Sequence, residues 1–139
     1  MRADEQVQER AAMRASQLRE VELTHQATGD WKVWKVGGKV FMLQTFMPGE
    51  PVVILKADPS EADLLRAAHE SITHGYHMNK KHWITLRPGG NLPDQLIDEL
   101  VTESYLLVVN GLPESKRPVD PETSKPQTSS TPDARPSAP

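Results

Sequence analysis

The chain has 139 residues, with 16 Lys and Arg against 19 Asp and Glu, and it contains no cysteine. This length predicts a single domain, and the lack of cysteine excludes disulfides, thiolate nucleophiles and cysteine-based metal sites. No apolar run approaches the roughly 20 residues that cross a bilayer, and the N-terminal residues lack the apolar segment of a secretory signal. We therefore expect a cytoplasmic protein, and the net charge of −3 argues against coating of nucleic acid through bulk charge.

A change of composition predicts where the folded domain ends. Seven of the twelve prolines lie between Pro113 and Pro139, in a stretch that contains no glycine, aromatic residue or leucine. Such a segment buries too little apolar surface to offset its ordering entropy. We predict a single domain over residues 1–112 and a disordered tail rich in Pro, Ser and Thr over residues 113–139.

The first half of the chain predicts one helix followed by three strands. Residues 4–26 contain no Gly or Pro and are rich in helix-forming residues, which predicts an N-terminal helix. Gly37-Gly38 separates two apolar runs and predicts a hairpin of Trp31–Val36 and Lys39–Phe46 with a two-residue turn. Val52–Lys56 is predicted to be a third strand, in an antiparallel meander.

A second helix is predicted to begin at Asp58. The Asp58 side chain suits the N-cap, and Pro59 suits the first helical position. The predicted buried stripe of this helix is Leu64, Leu65 and Ala68. The helix should end near Glu70, and residues 71–80 are predicted to form a loop.

One strand and one helix complete the predicted domain. Lys81–Arg87 alternates as a strand does, with Ile84 and Leu86 on one face and with Lys81, Trp83, Thr85 and Arg87 on the other. Pro93 opens a third helix whose apolar residues, Leu96, Ile97, Leu100, Val101, Leu107 and Val108, share one face. Because strands and helices do not alternate, the predicted class is α+β, a two-layer fold with helices packed on one face of an antiparallel sheet.

Three short motifs occur in order along the chain. They are Val36-Gly37-Gly38-Lys39-Val40-Phe41, Lys56-Ala57-Asp58-Pro59 and Gly75-Tyr76-His77-Met78-Asn79-Lys80-Lys81-His82-Trp83, followed by Leu92-Pro93-Asp94 and Ser104-Tyr105. Together they resemble the MmcQ/YjbR family over residues 31–112. The resemblance implies a fold similar to CyaY/frataxin and to type III secretion chaperones. It also implies DNA binding, with hairpins likened to a double wing.

The chain departs from this family pattern near its start. Family members often end the first helix with Leu-Pro-Gly, whereas here Leu18 is followed by Arg19-Glu20. This departure predicts a first helix that runs longer than in the family.

Charge is unevenly distributed along the chain. No acid lies between Asp30 and Glu50 or between Glu70 and Asp94, whereas residues 94–112 hold four acids and no Lys or Arg. We predict a basic sheet face that binds duplex DNA with weak sequence preference. The candidate nucleic-acid-binding residues are Lys35, Lys39, Lys80, Lys81, Trp83 and Arg87. The alternative interpretation is that the lysines decorate a solvated face and that Trp83 fills a second small core.

The alternative function is a small chaperone-like module that binds a protein partner in an apolar groove between sheet and helices. In either case we expect a monomer or a weak homodimer with no membrane association. No nucleophile elbow, zinc-protease motif, P-loop or dinucleotide fingerprint occurs. We therefore predict a non-enzymatic protein without catalytic residues or a cofactor.

Two further groups of polar residues invite a chemical role. His69, His74, His77 and His82 lie within 14 residues, but a zinc site needs three or four converging ligands, and we predict no metal site. Ser104 follows Leu100 by one helical turn and is predicted to bond back to a helix carbonyl. Tyr105 is predicted to pack with its hydroxyl at the surface.

Overall fold

The computed structural model describes residues 6–25, 31–47, 50–75, 81–89 and 92–120. The helices are α1 (Gln6–Ser16), α2 (Pro59–Ala68) and α3 (Asp94–Asn110), and the strands are β1 (Val21–His25), β2 (Lys32–Val36), β3 (Lys39–Met47), β4 (Glu50–Lys56), β5 (Ile72–His74) and β6 (Trp83–Leu86). The strands form one antiparallel sheet in the order β1-β2-β3-β4-β6-β5. The α+β prediction is confirmed. None of the described helices is both long and apolar enough to cross a membrane.

Alternation along the strands gives the sheet two different faces. On the helix-covered face, side chains from the central strands form the main core with α1, α2 and α3. Ile84 and Leu86 are fully buried in this core, as predicted. On the opposite face, here called the second face, a smaller cluster forms from Val33, Leu43 and Ile54, with Trp31, Val40 and Trp83 packed against it. Strands β2, β3, β4 and β6 therefore each contribute to both clusters.

The predicted helix over residues 4–26 is wrong in its second half. Helix α1 ends at Ser16, and Val21–His25 forms an edge strand paired with β2. Glu20 has a left-handed φ of 59°, which turns the chain out of the helix. Pairing with β2 thus outweighs the local helix propensity. The turn at Leu18-Arg19-Glu20 stands where the family pattern has Leu-Pro-Gly, so this departure does not lengthen the helix.

Helix α2 begins as predicted, but it buries a different residue. The Ser60 amide donates to the Asp58 carboxylate at 3.2 Å, which confirms the N-cap. Ala62 is buried, whereas Leu64 is 66% exposed and Ala68 is exposed. The predicted stripe is confirmed at Leu65, which is half-buried against the main core, and is wrong at Leu64 and Ala68, because α2 lies beside the β5 edge of the sheet and turns Ala62 toward that core.

The segment after α2 is not wholly a loop. Ile72–His74 forms β5 and pairs with β6, contrary to the predicted loop over residues 71–80. Three residues are too short for a periodic signal, so only pairing reveals this strand. Residues 76–80 lie outside the described residues.

A β-bulge in β3 determines the centre of the main core. Lys35 pairs with Val40 while Trp34 pairs with Met42, so Phe41 is the extra residue. A bulge breaks the strict alternation of side chains. Phe41 and Met42 consequently both enter the main core and are fully buried. The Phe41 ring meets the ring of Tyr105 edge to face, with centroids 5.5 Å apart.

Ser104 satisfies the backbone groups beside this bulge. Its hydroxyl donates to the Phe41 carbonyl at 2.5 Å and accepts the Lys56 amide at 2.9 Å. The predicted bond to a helix carbonyl is therefore wrong, because the side chain reaches from α3 across to β3 and β4. The Tyr105 hydroxyl donates to the Arg19 carbonyl at 2.7 Å and is likewise engaged within the fold. The Ser-Tyr motif thus joins α3 to the sheet and to the α1–β1 turn.

Substitution of Ser104 by alanine should lower the free energy of unfolding by about 1–2 kcal/mol, because the buried Phe41 carbonyl and Lys56 amide lose their partner. Urea unfolding followed by circular dichroism measures this change. Ser16→Ala is the matched control, since its hydroxyl lies on an exposed residue, and it should cost no more than about 0.5 kcal/mol. Equal costs for the two variants would contradict the bridging role of Ser104.

The folded domain extends beyond the predicted boundary at residue 112. Glu114–Lys116 forms a short 3₁₀ helix, and Val119 packs against the main core. The Arg117 guanidinium donates to the carbonyls of Leu112 at 2.9 Å and Asn110 at 3.0 Å. The Asn110 carbonyl is the last one of α3, and the Leu112 carbonyl belongs to the turn that follows. Composition does not reveal these bonds. The rest of the predicted tail, residues 121–139, lies outside the described residues.

Candidate nucleic-acid interface

The second face of the sheet places two lysines and a tryptophan in one row. Trp34 on β2 and Leu55 on β4 stand opposite the same residue of β3. Strands β2 and β4 run in the same direction, because both are antiparallel to β3. Lys35 follows Trp34 and Lys56 follows Leu55, so the two lysines lie at the same height in the sheet. Lys56 pairs directly with Trp83 on β6. Neighbouring strands are about 4.8 Å apart, so Lys35 and Lys56 are about 10 Å apart. We call Lys35, Lys56 and Trp83 the lysine–tryptophan row.

Trp83 has a packing role and also positions a lysine. Its ring packs against the cluster of Val33, Leu43 and Ile54, which confirms the interpretation that it fills a second small core. The Lys56 ammonium lies 5.3 Å from the centroid of the same ring, a cation–π distance. The half-buried tryptophan thus holds the charge of Lys56 at the surface of this face.

Lys56 is the residue that sequence reasoning missed. The alternation of β4 places it on the same face as Ile54, and this periodicity could have found it. What the alternation alone does not show is that Trp83 stands beside it, since β4 and β6 are separated by α2 and β5 along the chain.

Arg87 lies toward the other end of the second face, where Glu50 binds it. The guanidinium Nε and Nη2 donate to the two Glu50 carboxylate oxygens at 3.1 and 2.6 Å. The hydrogen bond from Arg87 holds the pKa of Glu50 below its ordinary value, and the bond to Glu50 raises the pKa of Arg87. Both groups are therefore charged at neutral pH, and a phosphate that bound Arg87 would have to compete with Glu50.

The structure separates the remaining candidates. Lys81 is exposed in the turn two residues before β6, near the end of the sheet that holds the row. Lys39 pairs with Val36, whose side chain is in the main core, so Lys39 lies toward the helix-covered side and not beside Lys35. The two-residue turn already implied this pairing. Glu22 pairs with Lys35 and adds a negative charge at the edge of the row. Lys80 lies outside the described residues.

The clustered histidines are spread over different elements. His69 caps the C-terminus of α2, His74 is in β5, and His82 stands directly before β6. Within the part of the chain that the structure describes, no group of three or more His, Asp and Glu side chains is placed to hold a metal ion. His77 lies outside that part.

Comparison with known proteins identifies the family. The family model described as YjbR matches residues 16–107. The chain belongs to the YjbR family. It is 42% identical over 104 residues to the Escherichia coli O157:H7 protein YbdF, which covers 75% of this chain and 85% of YbdF. It is also 42% identical over 90 residues to YjbR of E. coli K12, which covers 63% of this chain and 76% of that protein.

Solved structures share the fold of this YjbR-family chain. The crystal structure of Deinococcus radiodurans DR2400, with its domain DUF419, superposes with a TM-score of 0.69 at 33% identity, over 82% of this chain and 85% of that one. A Pseudomonas syringae crystal structure superposes with a TM-score of 0.61 at 26% identity, over 77% and 98% of the respective chains. The family match runs from the end of α1 into α3, so it contains all the described strands and the lysine–tryptophan row.

Proposed function

We propose that this YjbR-family domain is a non-enzymatic protein that binds duplex DNA through its phosphates, with weak sequence preference. The observation that supports the proposal is the lysine–tryptophan row on the sheet face opposite the three helices. Lys35 and Lys56 present two ammonium groups from one face of the sheet, on backbones that lie about 10 Å apart. A duplex carries one negative charge per about 1.7 Å of its axis, so such a pair meets phosphates at almost any position along it.

Weak sequence preference follows from the chemistry of the side chains on this face. A lysine ammonium is a point donor that contacts phosphate without reading a base edge, whereas the bidentate fork of arginine suits guanine. Arg87, on the described part of this face, is held by Glu50. Glu22 and Glu50 reduce the positive potential of the face, which favours a dissociation constant in the non-specific range of about 10⁻⁴–10⁻⁶ M.

Neutralising the row should weaken DNA binding about 50-fold at 0.1 M salt. The variant is Lys35→Gln with Lys56→Gln, and its matched control is Lys32→Gln with Lys39→Gln, which removes the same charge from exposed lysines on the other side of the sheet. The slope of log K against log salt is negative, and each lost phosphate contact reduces its magnitude by about 0.9. The slope of the row variant should therefore be shallower than that of the parent by about 1.8. Fluorescence anisotropy of a labelled duplex, titrated with the full chain at several salt concentrations, measures both quantities.

Two results would contradict this proposal. If the row variant and the control lose affinity equally, binding reflects overall charge and does not occur at the row. If the parent chain does not bind the duplex even at low salt, DNA is not its ligand. Thermal unfolding of both variants should match that of the parent, because all four lysine side chains reach the surface.

A second candidate function is a protein-interaction module, and a different surface favours it. An apolar groove lies between α2 and α3, away from the centre of the sheet. Its lining determines the chemistry of the partner that would fit.

A further inference from the structure

Helices α2 and α3 leave an open groove between them. The groove has a volume of about 370 Å³, within the range of small binding pockets. Its apolar lining is Ala57, Leu65, Leu96, Leu100 and Leu107. Leu96 and Leu107 are half-buried. Part of each side chain is therefore available to a molecule that enters the groove.

The α2 side of the groove adds further apolar surface. Leu64 is 66% exposed and lies one helical turn from Glu61, which lines the groove. An exposed leucine alone needs no explanation. Next to an apolar groove, however, it extends the surface that a partner could bury.

Carboxylates from both helices border this apolar lining. Asp58 and Glu61 come from the start of α2, and Glu99 and Glu103 come from α3. Asp58 accepts hydrogen bonds from the Ser60 hydroxyl at 2.6 Å and the Ser60 amide at 3.2 Å, and the bond from the hydroxyl lowers its pKa. Lys56 is the cation among the lining residues, and it sits at the end nearest the row. The groove is therefore apolar inside and negative at its border.

We propose that this groove binds a basic amphipathic helix of a partner protein. The apolar side chains of the helix would contact the leucines, while its Lys and Arg side chains would pair with the bordering carboxylates. The length matches, since Leu96 and Leu107 are 11 residues apart and an α-helix rises about 1.5 Å per residue, so the leucines span about 16 Å or three turns. A partner helix of three turns would place apolar side chains at positions i, i+3 or i+4, and i+7 against these leucines.

This inference rests on the second candidate function and is separate from DNA binding. The bordering carboxylates would repel DNA phosphates just as they attract a basic helix. The two ligands are thus assigned to two surfaces that, among the residues the structure describes, share only Lys56, at the point where the row meets the groove. Failure of one proposal leaves the other open to its own test.

The test uses the full chain and a labelled synthetic peptide of about 14 residues made of Leu and Lys, with Leu at helical spacing. Two matched peptides replace every Lys by Glu or every Leu by Ser. The groove variant is Glu61→Lys with Glu99→Lys. Its control is Glu9→Lys with Glu70→Lys, which changes two exposed acids outside the groove lining.

We expect the Leu/Lys peptide to bind saturably and the two matched peptides to bind at least tenfold more weakly. The groove variant should bind the Leu/Lys peptide at least tenfold more weakly than the parent, and the control within about threefold, as a rim-charge effect predicts. The groove variant should also bind duplex DNA no less tightly than the parent. Glu61→Gln with Glu99→Gln repeats the test without charge reversal.

Three results would overturn the proposal. The first is a Leu/Lys peptide that binds the groove variant as tightly as the parent. The second is a Ser/Lys peptide that binds as tightly as the Leu/Lys peptide, since charge alone would then explain the attraction. The third is a concentration-dependent dimer of the parent, seen by sedimentation and lost in the groove variant, because a second copy of the chain would then occupy the groove.

Discussion

Replacing Phe41 by alanine should lower the free energy of unfolding by about 3–5 kcal/mol, the largest stability effect that we expect in this protein. Phe41 is fully buried in the main core and packs edge to face against Tyr105. It is also the extra residue of the bulge, so its side chain fills space that an unbroken strand would not reach. Truncation would leave a cavity between β3 and α3, and a fixed sheet register limits how far the core can close around it.

The same strand supplies a matched control for this prediction. Phe46 is 52% exposed, and Phe46→Ala should cost no more than about 1 kcal/mol, because most of its ring already contacts water. Urea unfolding of both variants, with fluorescence and circular dichroism recorded together, measures the difference. A Phe41→Ala cost as small as that of Phe46→Ala would contradict the position of Phe41 in the core.

Replacing Gly75 by alanine should lower the free energy of unfolding by about 2–3 kcal/mol, at the upper end of the range for overpacking. The added Cβ would lie 2.5 Å from the Trp83 Cβ and 3.1 Å from the Trp83 carbonyl carbon and oxygen. The Gly75 amide also donates to the Trp83 carbonyl at 3.0 Å, so the two backbones cannot separate without losing this bond. The substitution therefore forces Trp83 to move or β6 to shift.

Gly111→Ala is the control for this substitution. Gly111 has an ordinary φ of −86°, and its added Cβ would lie 3.5 Å from the nearest carbonyl oxygen, a normal contact. Gly111→Ala should raise the free energy of unfolding by less than about 1 kcal/mol, because alanine reduces the conformational entropy of the unfolded chain. Tryptophan emission offers a second measurement: Trp83 is one of three tryptophans, and Gly75→Ala should shift its contribution to the spectrum, whereas Gly111→Ala should leave the spectrum unchanged. Equal stability of the two variants would show that β5 and β6 tolerate separation.

Gly75 and Trp83 are the first and last residues of the motif that spans residues 75–83. Its two ends meet in the structure, where Gly75 permits the close approach of Trp83 and Trp83 packs on the second face. Packing and backbone geometry therefore explain why glycine and tryptophan stand at the two ends of the motif. Trp83 links this packing to the proposed function, because the same ring positions the Lys56 ammonium.

Local interactions explain which elements could be predicted from the sequence. The hairpin at Gly37-Gly38 was predictable because both glycines take positive φ values, 59° and 81°, as a primed two-residue turn requires. The Asp58 cap and the alternation of β6 likewise depend on residues a few positions apart. Strand β1 was not predictable in this way, because its helix-forming residues become a strand only through pairing with β2.

By itself the sequence determined the α+β class, the family resemblance and most elements from β2 to α3, because these depend on short motifs and on local periodicity. Tertiary structure decided which charges share a surface. Strand pairing placed Lys56 level with Lys35 and put Lys39 on the other side. The Arg87 guanidinium pairs with Glu50, and α2 and α3 place four carboxylates around the apolar groove between them. Contacts between residues distant along the chain carry no local signal, so only the folded arrangement of strands and helices brings these groups together.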